Sequence, residues 1–148
     1  EAQYRIGEVL QKKAETAAQA AVNSKWGTGQ YSPATVLQRQ MGSSIAAYRK
    51  TYETYPESGY AADSLSKVVR YYVDTDNNGQ AVSLLKKAFS EFPDAEFLDE
   101  MLILWAKVAH KMGDTETTKT KLRQLIFDYP SSKHVAEARK KLQALGGK

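Results

Sequence analysis

Three groups of residues in this chain have types and spacing that could carry chemistry. Asp74-Thr75-Asp76-Asn77-Asn78-Gly79 matches the first half of a calcium-binding loop, where alternating side-chain oxygens ligate the ion and a glycine permits the sharp turn. The closing position, which should carry a bidentate carboxylate, is Leu85. The same residues read as a turn between helices, rich in types that tolerate left-handed backbone, with Asn77 or Asn78 as cap. His110 and His134 are the histidines available for acid-base work or metal ligation. They fall on different predicted helices beside Lys111 and Lys133, which favours surface histidines over a dyad. The third group is acidic: Asp63, Glu100 and Glu137 recur at one position, joined by Glu1. Such a row could hold a basic ligand, or each charge could simply favour the dipole of the helix whose first half it occupies. There is no cysteine, so thiol chemistry is excluded and the redox compartment stays open. No nucleophile–base pair, metal-spacing motif or phosphate loop is apparent. The expectation is a protein that is not an enzyme and uses no cofactor or metal.

The elements that would position these residues repeat. Pro56, Pro93 and Pro130 stand 37 residues apart, each preceded by an aromatic residue, Tyr55, Phe92 or Tyr129. Proline disfavours helix for the residue before it and lacks a donor, so a helix should end at each aromatic. Ser58, Asp94 and Ser131 or Ser132 are candidate caps for the next helix. Before each proline, Tyr48, Leu85 and Leu122 and then Tyr52, Phe89 and Ile126 stay bulky and apolar at a spacing of four, one face of a helix. After it run Leu65, Val68, Val69 and Tyr72 in one copy and Leu102, Trp105, Ala106 and Ala109 in the next. Each period is a helix, a turn and a helix, with helices expected near 44–55, 58–74, 78–91, 94–112, 114–128 and 132–145. The all-round apolar run Met101-Leu102-Ile103-Leu104-Trp105-Ala106 marks a helix buried between neighbours, with Trp105 at the centre of the core.

Tyr72, Ala81, Leu85, Ala88 and Pro93 resemble a tetratricopeptide repeat, with small residues where two helices touch and a closing proline. Leu102, Trp105, Ala106 and Pro130 fit the next copy, although Thr118 and Leu125 replace its expected small residues. Residues 129–142 are similar to the bacterial envelope subgroup that includes the Tol-Pal coordinator and the barrel-assembly lipoprotein. The resemblance implies an all-α, right-handed solenoid of antiparallel helix pairs, closed by a C-terminal capping helix whose apolar side is Val135, Ala138, Leu142 and Leu145. It also implies a place in the bacterial periplasm or cell envelope, with the cytoplasm as the alternative. Gly7 aligns with Val69 and Ala106, and Ile6 with Val68 and Trp105, making Gly7 the close-packing glycine of the family. In this register residues 1–148 are one repeat domain, expected to be a piece of a longer protein. The first pair carries 25 surplus residues, assigned to an insertion over 24–43. The first helix should continue to about Asn23 through an alanine-rich run. Trp26 to Pro33 reads as a loop, a short helix should follow through Met41, and Gly42 should separate it from the next helix. Trp26 and Tyr31 either pin that loop or form an exposed binding loop.

Composition is that of an ordinary globular domain: 148 residues, 42% hydrophobic, net charge +4 with acidic and basic residues interspersed. This disfavours nucleic acid, and no apolar stretch approaches the roughly 20 residues of a membrane span. The resemblance implies that another protein or peptide binds in a concave groove lined by first-helix positions: Tyr4, Glu8 and Gln11, then Ser66, Arg70 and Val73, then Ile103, Lys107 and His110. The same positions could instead be a solvated face. A segment with an acidic group beside an apolar anchor would suit Arg70, Lys107 and Ile103. The alternatives are a self-association module of a multidomain protein, or a docking or regulatory domain of an enzyme whose catalytic part lies elsewhere. The oligomeric state is open.

Overall fold

A computed structural model describes residues 1–23 and 33–146, with side chains described for 1–16 and 41–146. The described residues form seven helices: α1 (Ala2–Asn23), α2 (Pro33–Thr54), α3 (Ala61–Asp74), α4 (Asn78–Glu91), α5 (Leu98–Lys111), α6 (Thr115–Asp128) and α7 (Val135–Ala144). No strand occurs among them, so the chain is all-α. No helix among the described residues is long and apolar enough to cross a membrane.

The 37-residue period is reproduced to the residue. Helices open at Ala61, Leu98 and Val135, and others close at Thr54, Glu91 and Asp128. The junction after each proline is the same double turn. The amides of Tyr55, Phe92 and Tyr129 donate to Thr51, Ala88 and Leu125, and their carbonyls accept from Ser58, Ala95 and Ser132. The carbonyls of those three residues in turn accept from Ala61, Leu98 and Val135. Two turns in series consume three or four more residues than expected, which corrects the predicted helix starts to Ala61, Leu98 and Val135. It also removes the expected caps of α5 and α7, whose cap positions are Phe97 and His134 with no side-chain cap bond. Ser132 serves the turn instead, accepting from the His134 amide at 3.1 Å and donating to the Asp99 carboxylate at 2.5 Å.

The turns within pairs also correspond. Asp76 (φ 57°) and Gly113 (φ 78°), one period apart, both adopt the left-handed conformation that closes a helix. The turn reading of 74–79 therefore holds, and Asp76 is its left-handed residue. Asn77 is the cap position but its side chain donates to Thr75 Oγ1 at 2.7 Å, not to the helix. By contrast Asp114 caps α6, accepting from the Thr117 amide at 2.9 Å, and the Thr117 hydroxyl, then that amide, hold its carboxyl below the usual range. Gly113→Ala should cost about 1–2 kcal/mol, because a Cβ is disfavoured at this φ. Asp76→Gly should leave the melting temperature unchanged or slightly raised. A thermal melt of each variant checks both signs.

Residues Glu1–Val68 form one compact unit and Val69–Lys148 a second. In the first, α1 packs on α2. The helix α1 reaches Asn23 as expected, eleven residues past Lys12, where the register of α3 and α5 would end it. Helix α2 opens at Pro33, eight residues before Met41, and runs unbroken through Gly42. This corrects the expectation of two helices there. An exposed glycine costs a helix only about 1 kcal/mol, too little to break 22 residues of it. The remaining surplus, with Trp26 and Tyr31, lies outside the described residues.

In the second unit, α4 packs on α5, α5 on α6, and α6 on α7. Its core joins Leu102, Ile103 and Ala106 of α5, Leu122 and Leu125 of α6, and Ala138 and Leu142 of α7. Phe89, Ile126, Tyr129 and Leu145 pack around it. Trp105 is buried, its ring 5.9 Å from Phe89 and capped by Lys121, whose ammonium sits 3.9 Å from the indole centroid. Burial pulls the Lys121 amine below its usual range. The buried Thr118 is accommodated because its hydroxyl donates to the Asp114 carbonyl at 2.7 Å.

Candidate functional site

The nine positions expected to face a groove separate by burial and by partner. In the first unit, Tyr4 stacks on Tyr60 at 4.8 Å and its hydroxyl donates to the Asp63 carboxylate. Burial, then that hydrogen bond, pushes the Tyr4 phenol well above its usual range. Gln11 accepts from the Tyr48 hydroxyl at 3.0 Å and donates to Glu15 at 2.9 Å, while Glu8 accepts from Arg5 at 3.1 Å. Ser66 is buried, its hydroxyl turned back to the Asp63 carbonyl at 2.8 Å. Each of these four is thus engaged by a neighbour within the first unit.

In the second unit, Val73 and Ile103 are buried. With Ser66 they correct the expectation of a nine-residue lining, because α3 and α5 carry apolar or small residues on more than one face and bury them. Arg70 donates to Glu100 at 2.8 Å. Its Nε is buried with no partner among the described residues. One period later the same two positions are Lys107 and Glu137, yet the pairing is not repeated. Glu137 pairs within its own helix with Lys141 at 3.4 Å. Lys107 is exposed and has no ion-pair partner among the described residues.

Lys107 stands at the mouth of a cavity of about 270 Å³ formed by α5, α6 and α7. Ala106, Thr118, Ala144 and Leu145 supply its apolar wall. Around it stand Lys107, His110, Lys111 and Lys141, with no carboxylate in the lining. Lys111 is also engaged by Asp76 outside the lining, which holds the Asp76 carboxyl below its usual range. Of the expected residues, the structure thus gathers Lys107 and His110 at one site. Sequence reasoning missed Ala144 and Lys141, because α7 was read only through its core-facing side, and placed Leu145 on that side without linking it to a site. Lys141, one charge beyond the apolar stripe, was the available signal.

The acidic row has a structural account. Asp63, Glu100 and Glu137 lie in the first turns of α3, α5 and α7, as the dipole reading requires. Each is also partnered: Asp63 by Tyr4 and Lys67, Glu100 by Arg70, Glu137 by Lys141. Glu1 pairs with Arg5 at 4.0 Å. Among the described residues no three His, Asp or Glu side chains gather as a metal site. His110 lies on α5 and His134 is the cap position before α7.

No protein-family model matches this chain, and no curated protein matches it.

Proposed function

We propose that this chain is a non-catalytic scaffold that binds a segment of another protein, built as a tetratricopeptide-like solenoid and working in a bacterial envelope assembly. The recurrence of helices and double turns at 37 residues supports the repeat reading. The resemblance of residues 129–142 is the support for the envelope. The observation that carries the binding reading is an unpaired Lys107 beside an open apolar cavity without acidic lining. Burying that lysine's surroundings against an acidic partner would supply the missing counter-charge, and the cavity would supply the apolar contact.

Selection of displayed random peptides against the 148-residue chain tests the reading, followed by calorimetry on those enriched. Enriched peptides should bind in the micromolar range, weaken as salt is added, and lose about tenfold in affinity on Lys107→Glu. Arg70 is left intact in this design, since Arg70→Glu would set two carboxylates together and disturb the fold. His110→Ala should change stability by no more than about 0.5 kcal/mol, as a surface change does. A chain that enriches no peptide would refute the scaffold reading.

A further inference from the structure

We propose that the cavity between α5, α6 and α7 takes one bulky apolar side chain of a partner peptide whose neighbouring residues are acidic. This rests on the scaffold reading and assigns its anchor. The volume of about 270 Å³ lies just below the roughly 300–1,000 Å³ of small-molecule pockets, so it suits a single large side chain better than an extended ligand. Its walls are methyl and methylene groups: Ala106 and Ala144 face it with Leu145 and the buried Thr118, and none offers a charge to an inserted group. The charged side chains of the lining, Lys107, Lys111 and Lys141, are all basic.

The charges at the mouth are not equivalent. Lys111 and Lys141 already have carboxylates on their far sides, Asp76 and Glu137, so each can share a second acid without being drawn from its place. Lys107 has none. A carboxylate arriving from the partner is therefore worth most at Lys107, where the corresponding Arg70 shows what a satisfied position looks like: one bond of 2.8 Å to Glu100. An anionic membrane is the other anionic, apolar surface such a site could meet. Docking on a bilayer needs large apolar residues next to the cations on an exposed face. The exposed face of α7 carries Ala136, Arg139, Lys140 and Gln143, with no large apolar residue; a single exposed large apolar residue, Met112, follows Lys111, and the remaining apolar surface lines the cavity. The geometry favours a peptide.

The probe is an acetylated, amidated peptide of roughly a dozen residues with a central phenylalanine between acidic pairs, so that only side chains are read and no terminal carboxylate is present. Its affinity should fall about tenfold when the phenylalanine becomes alanine, and about fivefold when the acids become serines. Ala144→Phe, at an exposed wall position of α7, fills the cavity from within. It should cost binding about tenfold while leaving the melt and the helical circular dichroism unchanged. Methyl resonances of Ala106 and Ala144 should shift on titration. Equal affinity for the phenylalanine and alanine peptides would overturn the inference, as would unaltered binding by the folded Ala144→Phe protein. Selected peptides that bind without this pattern would overturn it too and leave the scaffold reading standing. Failure of every peptide, with capture by vesicles of anionic phospholipid, would remove both.

Discussion

Trp105→Ala should destabilise the protein by about 3–5 kcal/mol, the range for deleting a large buried aromatic. The indole is 9% exposed, touches Phe89 of α4 and lies beneath Lys121 of α6, so one substitution removes contacts that α5 makes on both sides. Lys121 also loses the ring face that its partly desolvated ammonium rests against. Against a typical domain stability of about 5–15 kcal/mol this is a large fraction, and the denaturation midpoint should fall accordingly. Phe127→Ala is the internal control: Phe127 is 85% exposed, and its loss should stay within about 0.5 kcal/mol. Equal midpoints for the two variants would mean that Trp105 is not at the core's centre.

A second large effect is expected in the first unit, with a sign opposite to helix propensity. Replacing a helical glycine with alanine ordinarily stabilises by about 1 kcal/mol. At Gly42 of α2 nothing lies within 4 Å of the added Cβ, and Gly42→Ala should show that gain. At Gly7 of α1 the Cβ would lie 2.6–2.9 Å from three ring atoms of Tyr48. That ring cannot easily give way. Tyr48 is fully buried, its hydroxyl donates to Gln11 at 3.0 Å, and Lys67 sits 5.5 Å from its centroid. Gly7→Ala should therefore cost about 1–3 kcal/mol, as overpacking does. Chemical denaturation of the two alanine variants separates the cases, and a stabilised Gly7→Ala protein would show that α1 and α2 do not approach so closely.

Much of the fold was legible because its punctuation is local. A proline after an aromatic ends a helix through sterics and a missing donor, and both act within a few residues, so Thr54, Glu91 and Asp128 end helices near where the pattern placed them. The close packing at Gly7 was expected from its register together with the family resemblance, and Tyr48 ring atoms do lie against it. The starts of α3, α5 and α7 were harder, because a double turn held by backbone bonds has no side-chain signature equal to a cap. The expected groove was read with less success, and the reason is burial. Ile6, Val68 and Trp105 occupy one register position, yet Ile6 is 45% exposed while the other two are buried. A pattern fixes which residues share a face of a helix. Which faces are covered depends on neighbours, as with α4 over Trp105. Pairing has the same character: Arg70 with Glu100 and Lys141 with Glu137 could each have been guessed, but not that the second choice would leave Lys107 without a close ion pair among the described residues.

Helix α7 has a kinetic consequence for the site it helps to form. It is the shortest of the described helices, ten residues, and buries only Ala138 and Leu142, whereas α5 buries eight side chains. Segments anchored by so few apolar contacts open locally at a small fraction of the global unfolding free energy. The amides of α7 should then exchange with solvent sooner than those of α5. Because Lys141, Ala144 and Leu145 form one wall of the cavity, each such opening dismantles the cavity and each closing rebuilds it. An occupant that bridges α5 and α7 would slow that cycle, and its protection would register at the α7 amides, several residues from the nearest contact.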